Sequence, residues 1–244
     1  MRRVVLAVLA SVLLSVALVS PLAVQAAPKG GSGSSGSGTT CNLPESDAEA
    51  LVILNNIFGR GYTWDHTDLT VAVQAQPGVT EEHLEAIHDA IATWDATLEK
   101  CFDGLITLTD VTDGRNAHQA ADIVLHYVRH AGGAAFAGVA ICGPDGCSNV
   151  LVSSEAPPSF GQDPYTPEFL GWLTLHELGH ALGLGHATNL FESTDLMGYG
   201  WIIAGSEPVL SDCDLDALAF VFAWALEGSD PYPPAQGPYD CSLD

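Results

Sequence analysis

Three histidines and a glutamate stand close together in His176-Glu177-Leu178-Gly179-His180-Ala181-Leu182-Gly183-Leu184-Gly185-His186, the pattern H-E-x-x-H-x-x-G-x-x-H. On a helix, residues four apart share a face, so His176 and His180 can point at one metal ion. Glu177 sits beside the first of them, where its carboxylate can reach a water on that ion without taking a coordination position. For His186 to join, the helix has to stop and the chain swing back. Gly183 is placed to stop it, because glycine tolerates the left-handed backbone that ends helices. Three neutral imidazoles would leave the fourth tetrahedral position of a zinc ion open, which marks a catalytic site rather than a closed structural one. Zinc would lower the pKa of a water there and polarise a carbonyl, with Glu177 taking and returning the proton. The chemistry implied is metal-assisted hydrolysis.

These five fixed positions resemble the signature of the metzincin metalloendopeptidases, whose second hallmark is a methionine turn downstream of the third histidine. Met197, in Ser193-Thr194-Asp195-Leu196-Met197-Gly198-Tyr199, follows His186 by eleven residues, and the chain's other methionine is Met1. The resemblance implies His176, His180 and His186 as zinc ligands and Glu177 as general base and then acid. It also implies Met197 as an apolar floor beneath the ligands, not itself a ligand. Tyr199 resembles the tyrosine with which astacins and serralysins support the oxyanion; the other reading of it is a packed aromatic. Matrixins, the matrix-metalloproteinase subfamily, have proline at that place and a tyrosine two residues later, where this chain has Trp201.

The elements that must position these residues can be read on either side of the motif. Leu69 to Gln74 alternates apolar and polar, a first strand. Thr80 caps a helix with Glu81 and Glu82 in its first turn, and Leu84, Ile87, Ala90, Ile91, Trp94 and Leu98 repeat along it at three or four residues. Ala86-Ile87-x-x-Ala90-x-x-x-Trp94 resembles the first helix of matrixins, and Ala121-Asp122-Ile123 a strand of similar domains. Strands are expected at Ile106–Val111 and Ala121–Val128. Phe136–Ile141 and Val150–Ser153 flank a turn, and one of them should be the sheet edge; in the family a substrate peptide pairs with that edge. Thr166-Pro167-Glu168 starts the motif helix with a cap, proline at the first position and an acid, and the helix should run to about Leu184. Ala187 to Leu196 reads as loop. Leu210-Ser211-x-x-Asp214 opens a last helix that reaches about Trp224. Ahead of all this, Ser46 to Phe58 reads as a short helix closed by Gly59. His83 and His88 are expected to be exposed bystanders. His118, His126 and His130 do not match the spacing of the second, structural zinc site that matrixins carry.

The chain has 244 residues. Arg2 and Arg3, the apolar run Val4–Val19 and the small residues around Ala26 form a secretory signal, residues 1–26. Residues 27–40 are a Gly/Ser-rich tether, too polar to build a core. The remainder, 41–244, suits one domain with a core at about 62–226 and a Pro/Gly tail at 227–244. Six cysteines, Cys41, Cys101, Cys142, Cys147, Cys213 and Cys241, all follow the signal, an even count that argues for three disulfides outside the cell. Cys142 and Cys147 flank the turn Gly-Pro-Asp-Gly and are paired. The other four leave three pairings open, Cys213 with Cys241 being one that would pin the tail. No P-R-C-G pattern of the matrixin cysteine switch is present.

The formal charge is −23, and it becomes −25 once Arg2 and Arg3 are removed, leaving 5 basic residues against 30 acidic. Such a field opposes nucleic acid and anionic membrane surfaces, and it leaves calcium binding open.

Together these features predict a secreted, monomeric, α+β chain of metzincin/zincin-like fold, with a twisted, mostly parallel sheet packed on helices, an active-site helix, a Met-turn and a small C-terminal subdomain. The resemblance spans roughly Tyr62 to Trp224. The implied function is zinc-dependent endopeptidase acting on proteins or peptides. The alternatives are a non-catalytic exported zinc-binding or adhesion module, and a zinc amidase acting on cell-wall peptides.

Overall fold

One of the two longest strands among the described residues follows from simple alternation. Leu69, Val71 and Val73 are buried on one face, and the strand they form spans Asp68–Ala75 (β2). A computed structural model describes residues 43–47, 51–53, 64–131, 137–143, 146–156, 164–232, 234 and 238–239. The signal, the tether, Cys41 and Cys241 lie outside these residues. Leu51–Ile53 (β1) precedes β2. After β2 come helix α1 (Glu81–Cys101), β3 (Thr107–Asp110), a single turn α2 (Ala117–Ala120) and β4 (Ile123–Val128). The chain continues through β5 (Gly138–Gly143), β6 (Gly146–Ser153), the motif helix α3 (Pro167–Leu182) and β7 (Leu184–Ala187). It closes with α4 (Gly200–Ala204), α5 (Asp212–Val221), α6 (Ala223–Leu226) and β8 (Pro238–Tyr239).

Five strands form one sheet in the order β3-β2-β4-β6-β5, all parallel except β5, which runs antiparallel to β6 at the edge. The fold is therefore α+β with a mostly parallel sheet. Helices α1 and α3 pack on each other and on the sheet through one apolar cluster that includes Ile87, Trp94, Leu173, Leu178, Val71 and Leu125. Thr80 caps α1 in a reciprocal box whose second partner is His83, so that two backbone donors are satisfied at the first turn. Thr166 caps α3, with Pro167 at its first position. Cys142 and Cys147 are bonded to each other across the β5–β6 turn, and Cys101 and Cys213 are each engaged in a disulfide. Among the described residues no helix is long and apolar enough to cross a membrane.

One expected element is corrected. Residues 51–53, read as part of a helix from Ser46 to Phe58, form a strand that pairs antiparallel with β7 on one side and β8 on the other. Residues 54–58 fall outside the described set. Leu51-Val52-Ile53 is too short a run for periodicity to decide between helix and strand, and two of its residues are β-branched. Pairing on both edges satisfies backbone groups from both sides, and that tertiary gain overrides the local pattern. The last helix also breaks at Phe222 into α5 and α6 instead of running unbroken to Trp224.

At the start of α5, Ser211 is the cap and Asp214 the residue that reaches back, its Oδ2 accepting from Ser211 N–H at 2.9 Å. Asp214 is fully buried and its Oδ1 has no hydrogen-bond partner. Burial pushes its carboxyl up to about 7 against the Ser211 hydrogen bonds, with Asp195 and Asp212 adding repulsion. Because the folded value lies above that of an unfolded aspartate, about 3.9, this group's contribution to stability is fully present at low pH. It is lost as pH rises toward 7. Asp214→Asn should therefore gain on the wild type as pH rises from about 4 to 7, by at most roughly 1.4 kcal/mol per unit. Urea midpoints of both proteins across that range check this; a difference that does not change with pH would show that Asp214 is not held neutral.

Candidate metal centre

The site begins at the C-terminal half of α3. His176 and His180 share a face of the helix and are both buried. Gly183 then ends the helix at φ 121°, a backbone conformation that side-chain-bearing residues rarely adopt, and its N–H closes on the Gly179 and His180 carbonyls. The chain turns directly into β7, which carries His186. Each histidine offers one ring nitrogen within 4.8 Å of the others, and among the described residues this is the one group of three metal-capable side chains.

Backbone carbonyls set which nitrogens converge. His176 Nδ1 donates to the Leu196 carbonyl at 2.7 Å, and His180 Nδ1 donates to the Leu184 carbonyl at 2.7 Å. Each ring is thereby left with a bare Nε2. His180 Nε2 lies 3.1 Å from His186 Nε2, close to the separation of about 3.3 Å expected for two nitrogens on a tetrahedral zinc. Burial drives all three imidazoles toward the neutral form. His176 is pushed down to about 3 by burial and by His180, and His180 to about 4 by burial. His186 is held well below its ordinary range, again by burial first and then by the other two rings. A set of neutral, lone-pair-bearing imidazoles is what a divalent cation requires at neutral pH. The residues fit zinc.

Glu177 is buried beside them, and burial raises its carboxyl to about 8. Its carboxylate lies over the edge strand. A β-carbon on Gly138 of β5 would come within 2.2 Å of Glu177 Oε1, so a side chain there would displace the Glu177 carboxyl group. Tyr199 places its hydroxyl 3.0 Å from His186 Nε2, and burial, followed by the nearby Glu177, keeps its phenol pKa well above the ordinary value. The phenol stays a hydrogen-bond donor. Met197 is fully buried with its sulfur against α3, where a β-carbon on Gly179 would meet Met197 Sδ at 2.6 Å. Trp201 is buried next to His176 and donates to the Gly198 carbonyl at 2.8 Å.

The other histidines stay apart from this group. His83 is not the exposed bystander expected: it is buried, its Nδ1 accepting from Thr80 N–H at 3.1 Å and its Nε2 lying 2.8 Å from the Tyr165 carbonyl. The reason is the capping box, which turns the ring back over the helix start. His88 pairs with Asp110, and His126 Nε2 meets Asn149 at 2.9 Å. His118 is exposed on α2, and His130 is half-buried. The residues that sequence reasoning missed are Leu184, Leu196 and Gly138. They act through backbone atoms, and no side-chain pattern announces a backbone acceptor.

No protein-family model matches the chain. It is similar to interstitial collagenase from Sus scrofa, 28% identical over an alignment of 193 residues that covers 73% of this chain. It spans about a third of that collagenase, 36% of its length. Among solved structures, the chain is similar to the archaemetzincin of Methanopyrus kandleri, at 17% identity and a TM-score of 0.40, over 66% of this chain and 97% of that one. It is also similar to metalloproteinase-II of Bacteroides fragilis, at 16% identity and a TM-score of 0.42, over 76% of this chain and 59% of that one.

The close approach of Gly179 to Met197 is directly testable. Gly179→Ala should gain up to about 1 kcal/mol in helix propensity, but overpacking of a buried contact costs typically 1–3 kcal/mol. The variant is expected to be less stable by urea titration and to bind zinc more weakly in chelator competition, since Met197 follows the Leu196 carbonyl that holds His176. A variant as stable and as zinc-avid as the wild type would show that the sulfur moves aside freely.

Proposed function

We propose that this chain is a secreted zinc-dependent endopeptidase, hydrolysing peptide bonds with Glu177 as general base. The observation that carries the reading is the convergence of three neutral imidazoles, two buried and the third half-buried, with a buried carboxylate beside them and a sheet edge running past that carboxylate. A structural zinc site needs no carboxylate outside its ligand set. A hydrolytic site does.

The ligands would be His176, His180 and His186 through Nε2. Zinc held by them would supply Lewis acidity, lowering the pKa of a water and polarising the substrate carbonyl. The remaining work falls to the chain. Glu177 is placed to accept a proton from the attacking water and return it to the leaving amine; burial raises its affinity for that proton, which suits both halves of the exchange. Tyr199 stays protonated, and its hydroxyl next to His186 can donate to negative charge that develops on the carbonyl oxygen. Met197 packs under α3 as an apolar support that fixes the distance between helix and turn. Strand β5 is an edge, with one side of its backbone paired to β6, so an extended peptide can add to the other side and be carried past Glu177. A protein or peptide is the substrate class that such an edge accepts. The six-cysteine pattern and the N-terminal signal support secretion.

The deciding experiment is a comparison of the wild type with Glu177→Gln. Both should hold one zinc per chain by elemental analysis, and cleavage of a quenched peptide library should fall about 100- to 10,000-fold in the variant, the range of a lost general base. Zinc in both and cleavage by neither would turn the reading to a binding module.

Tyr199→Phe removes the donor while keeping the ring. Its kcat is expected to fall by about 10- to 1,000-fold, up to the loss seen for a single oxyanion donor, with KM little changed. Unchanged kcat would leave Tyr199 as a packed aromatic.

A further inference from the structure

The segment ahead of the large sheet has no chemistry of its own, yet it touches the backbone that orients every imidazole of the site. Asp47 is the centre of this contact. Its Oδ1 accepts from Ser193 Oγ at 2.6 Å and from Asp195 N–H at 3.3 Å. Its Oδ2 accepts from Thr194 N–H and Thr194 Oγ1, both at 2.8 Å. The Asp47 N–H donates to Asp195 Oδ1 at 3.1 Å, the Asp47 carbonyl accepts from Asn189 Nδ2 at 3.1 Å, and Ser46 Oγ donates to Asp195. Asp212 N–H adds a bond to the Pro44 carbonyl at 3.1 Å. The residue after Asp195 is Leu196, whose carbonyl holds His176 Nδ1.

A few residues on, β1 pairs with β7, Ile53 opposite Leu184 and Leu51 opposite Ala187. Leu184 supplies the carbonyl that holds His180 Nδ1, and His186 lies on β7 itself. The three rings thus share one mechanical support. We propose that Pro44–Asp47 and Leu51–Ile53 form a brace for the metal centre, in which Asp47 is a positioning residue acting through Thr194, Asp195 and the Leu196 carbonyl on His176. This rests on the reading of the triad as a zinc site.

The physical case is one of hydrogen-bond accounting. No regular element spans residues 188–199; turns within the segment satisfy the Glu192, Ser193, Gly198 and Tyr199 N–H groups, and the Thr194 N–H finds its partner outside it, in Asp47. Asp47 takes two of the segment's N–H groups and two hydroxyls with one ionised carboxylate, which makes the bonds charge-assisted and short. Without it the Thr194 amide loses its acceptor and the Asp195 amide keeps only Ser193 Oγ, at 3.2 Å, so the Leu196 carbonyl is held from one side alone, by the bond from Leu196 N–H to the Val209 carbonyl. A ring whose Nδ1 acceptor drifts no longer aims its Nε2. Loss of an outer partner of a ligating histidine weakens metal affinity by about 10- to 100-fold, and Asp47 lies one step further out.

The test uses the full chain and reads zinc affinity by competition with a chromophoric chelator, in the wild type, Asp47→Ala, Asp47→Asn and Asp122→Ala. Asp122 is the control, a carboxylate that accepts from Thr70 N–H at 2.8 Å and Thr70 Oγ1 at 2.5 Å and so serves the β2–β4 pair in the same manner. Asp47→Ala should weaken zinc by about 10-fold, the lower end of the range for outer partners. Asp47→Asn, which keeps one acceptor oxygen and serves if the alanine variant fails to fold, should fall between it and the wild type. Asp122→Ala should lower the Tm without moving zinc affinity. Hydrogen exchange at Thr194 and Asp195 in the metal-free protein should quicken in the Asp47 variants alone. If both Asp47 variants bind zinc as tightly as the wild type while losing stability as Asp122→Ala does, Asp47 is merely structural and the proposal is overturned. A wild type that binds no zinc would remove the metal-site reading itself, a different failure from that of the brace.

Discussion

The structure depends on holding three neutral imidazoles close together, two of them buried and one half-buried, with their lone pairs aimed at one point. Left alone, buried rings would choose tautomers and rotations independently, and each would bury an unpaired N–H at a cost of one to three kcal/mol. The protein settles the first two rings by giving each Nδ1 a backbone carbonyl at 2.7 Å. Those carbonyls come from opposite sides. Leu184 is on the strand that leaves the motif helix, and Leu196 is on the loop that returns beneath it. Each half of the site therefore orients one histidine, and neither half could do so without the other.

This requirement explains why so much of the lower part of the molecule is irregular yet tightly bonded. Gly183 stops α3 at the residue where the chain must reverse, and Gly179 lets the Met197 turn come up against the helix. Ser193, Thr194 and Asp195 are tied to Asp47, and Asp195 is tied through Ser211 Oγ, at 3.0 Å, to the start of α5. The small sheet β7-β1-β8 places the third histidine on a strand held by a partner from the other end of the chain. The large sheet and α1 form the wall against which α3 is fixed, and Trp94, buried in that wall, donates to the Leu175 carbonyl at 2.9 Å just before His176.

Charge works with burial in the same region. In a chain of formal charge −23, Glu177, Asp195 and Asp214 are nevertheless buried. Burial raises all three toward the neutral form, whereas Asp47, also desolvated in part, is brought down to about 2 by the hydroxyl and amide donors around it. The acidic composition itself says nothing of this division. Which carboxylates ionise is decided by the donors that each one meets.

Much of the site could be read in one dimension because the chemistry is local. The His-Glu-x-x-His spacing works on any helix, Gly183 is needed wherever that helix must end, and Thr166-Pro167 starts it by the same rules everywhere. The alternation at Leu69–Val73, the cap at Thr80 and the turn between Cys142 and Cys147 are likewise properties of a few adjacent residues. What the order of residues could not show depends on groups far apart in the chain. Leu51–Ile53 became a strand because β7 and β8 offered it backbone partners, Gly138 met Glu177 because the edge strand passes over α3, and Asp47 met Thr194 across nearly the whole domain. Those contacts involve backbone atoms and long-range pairing, which leave no spacing in the sequence, and so the three histidines were set by local pattern while the aim of their rings was decided by the tertiary structure.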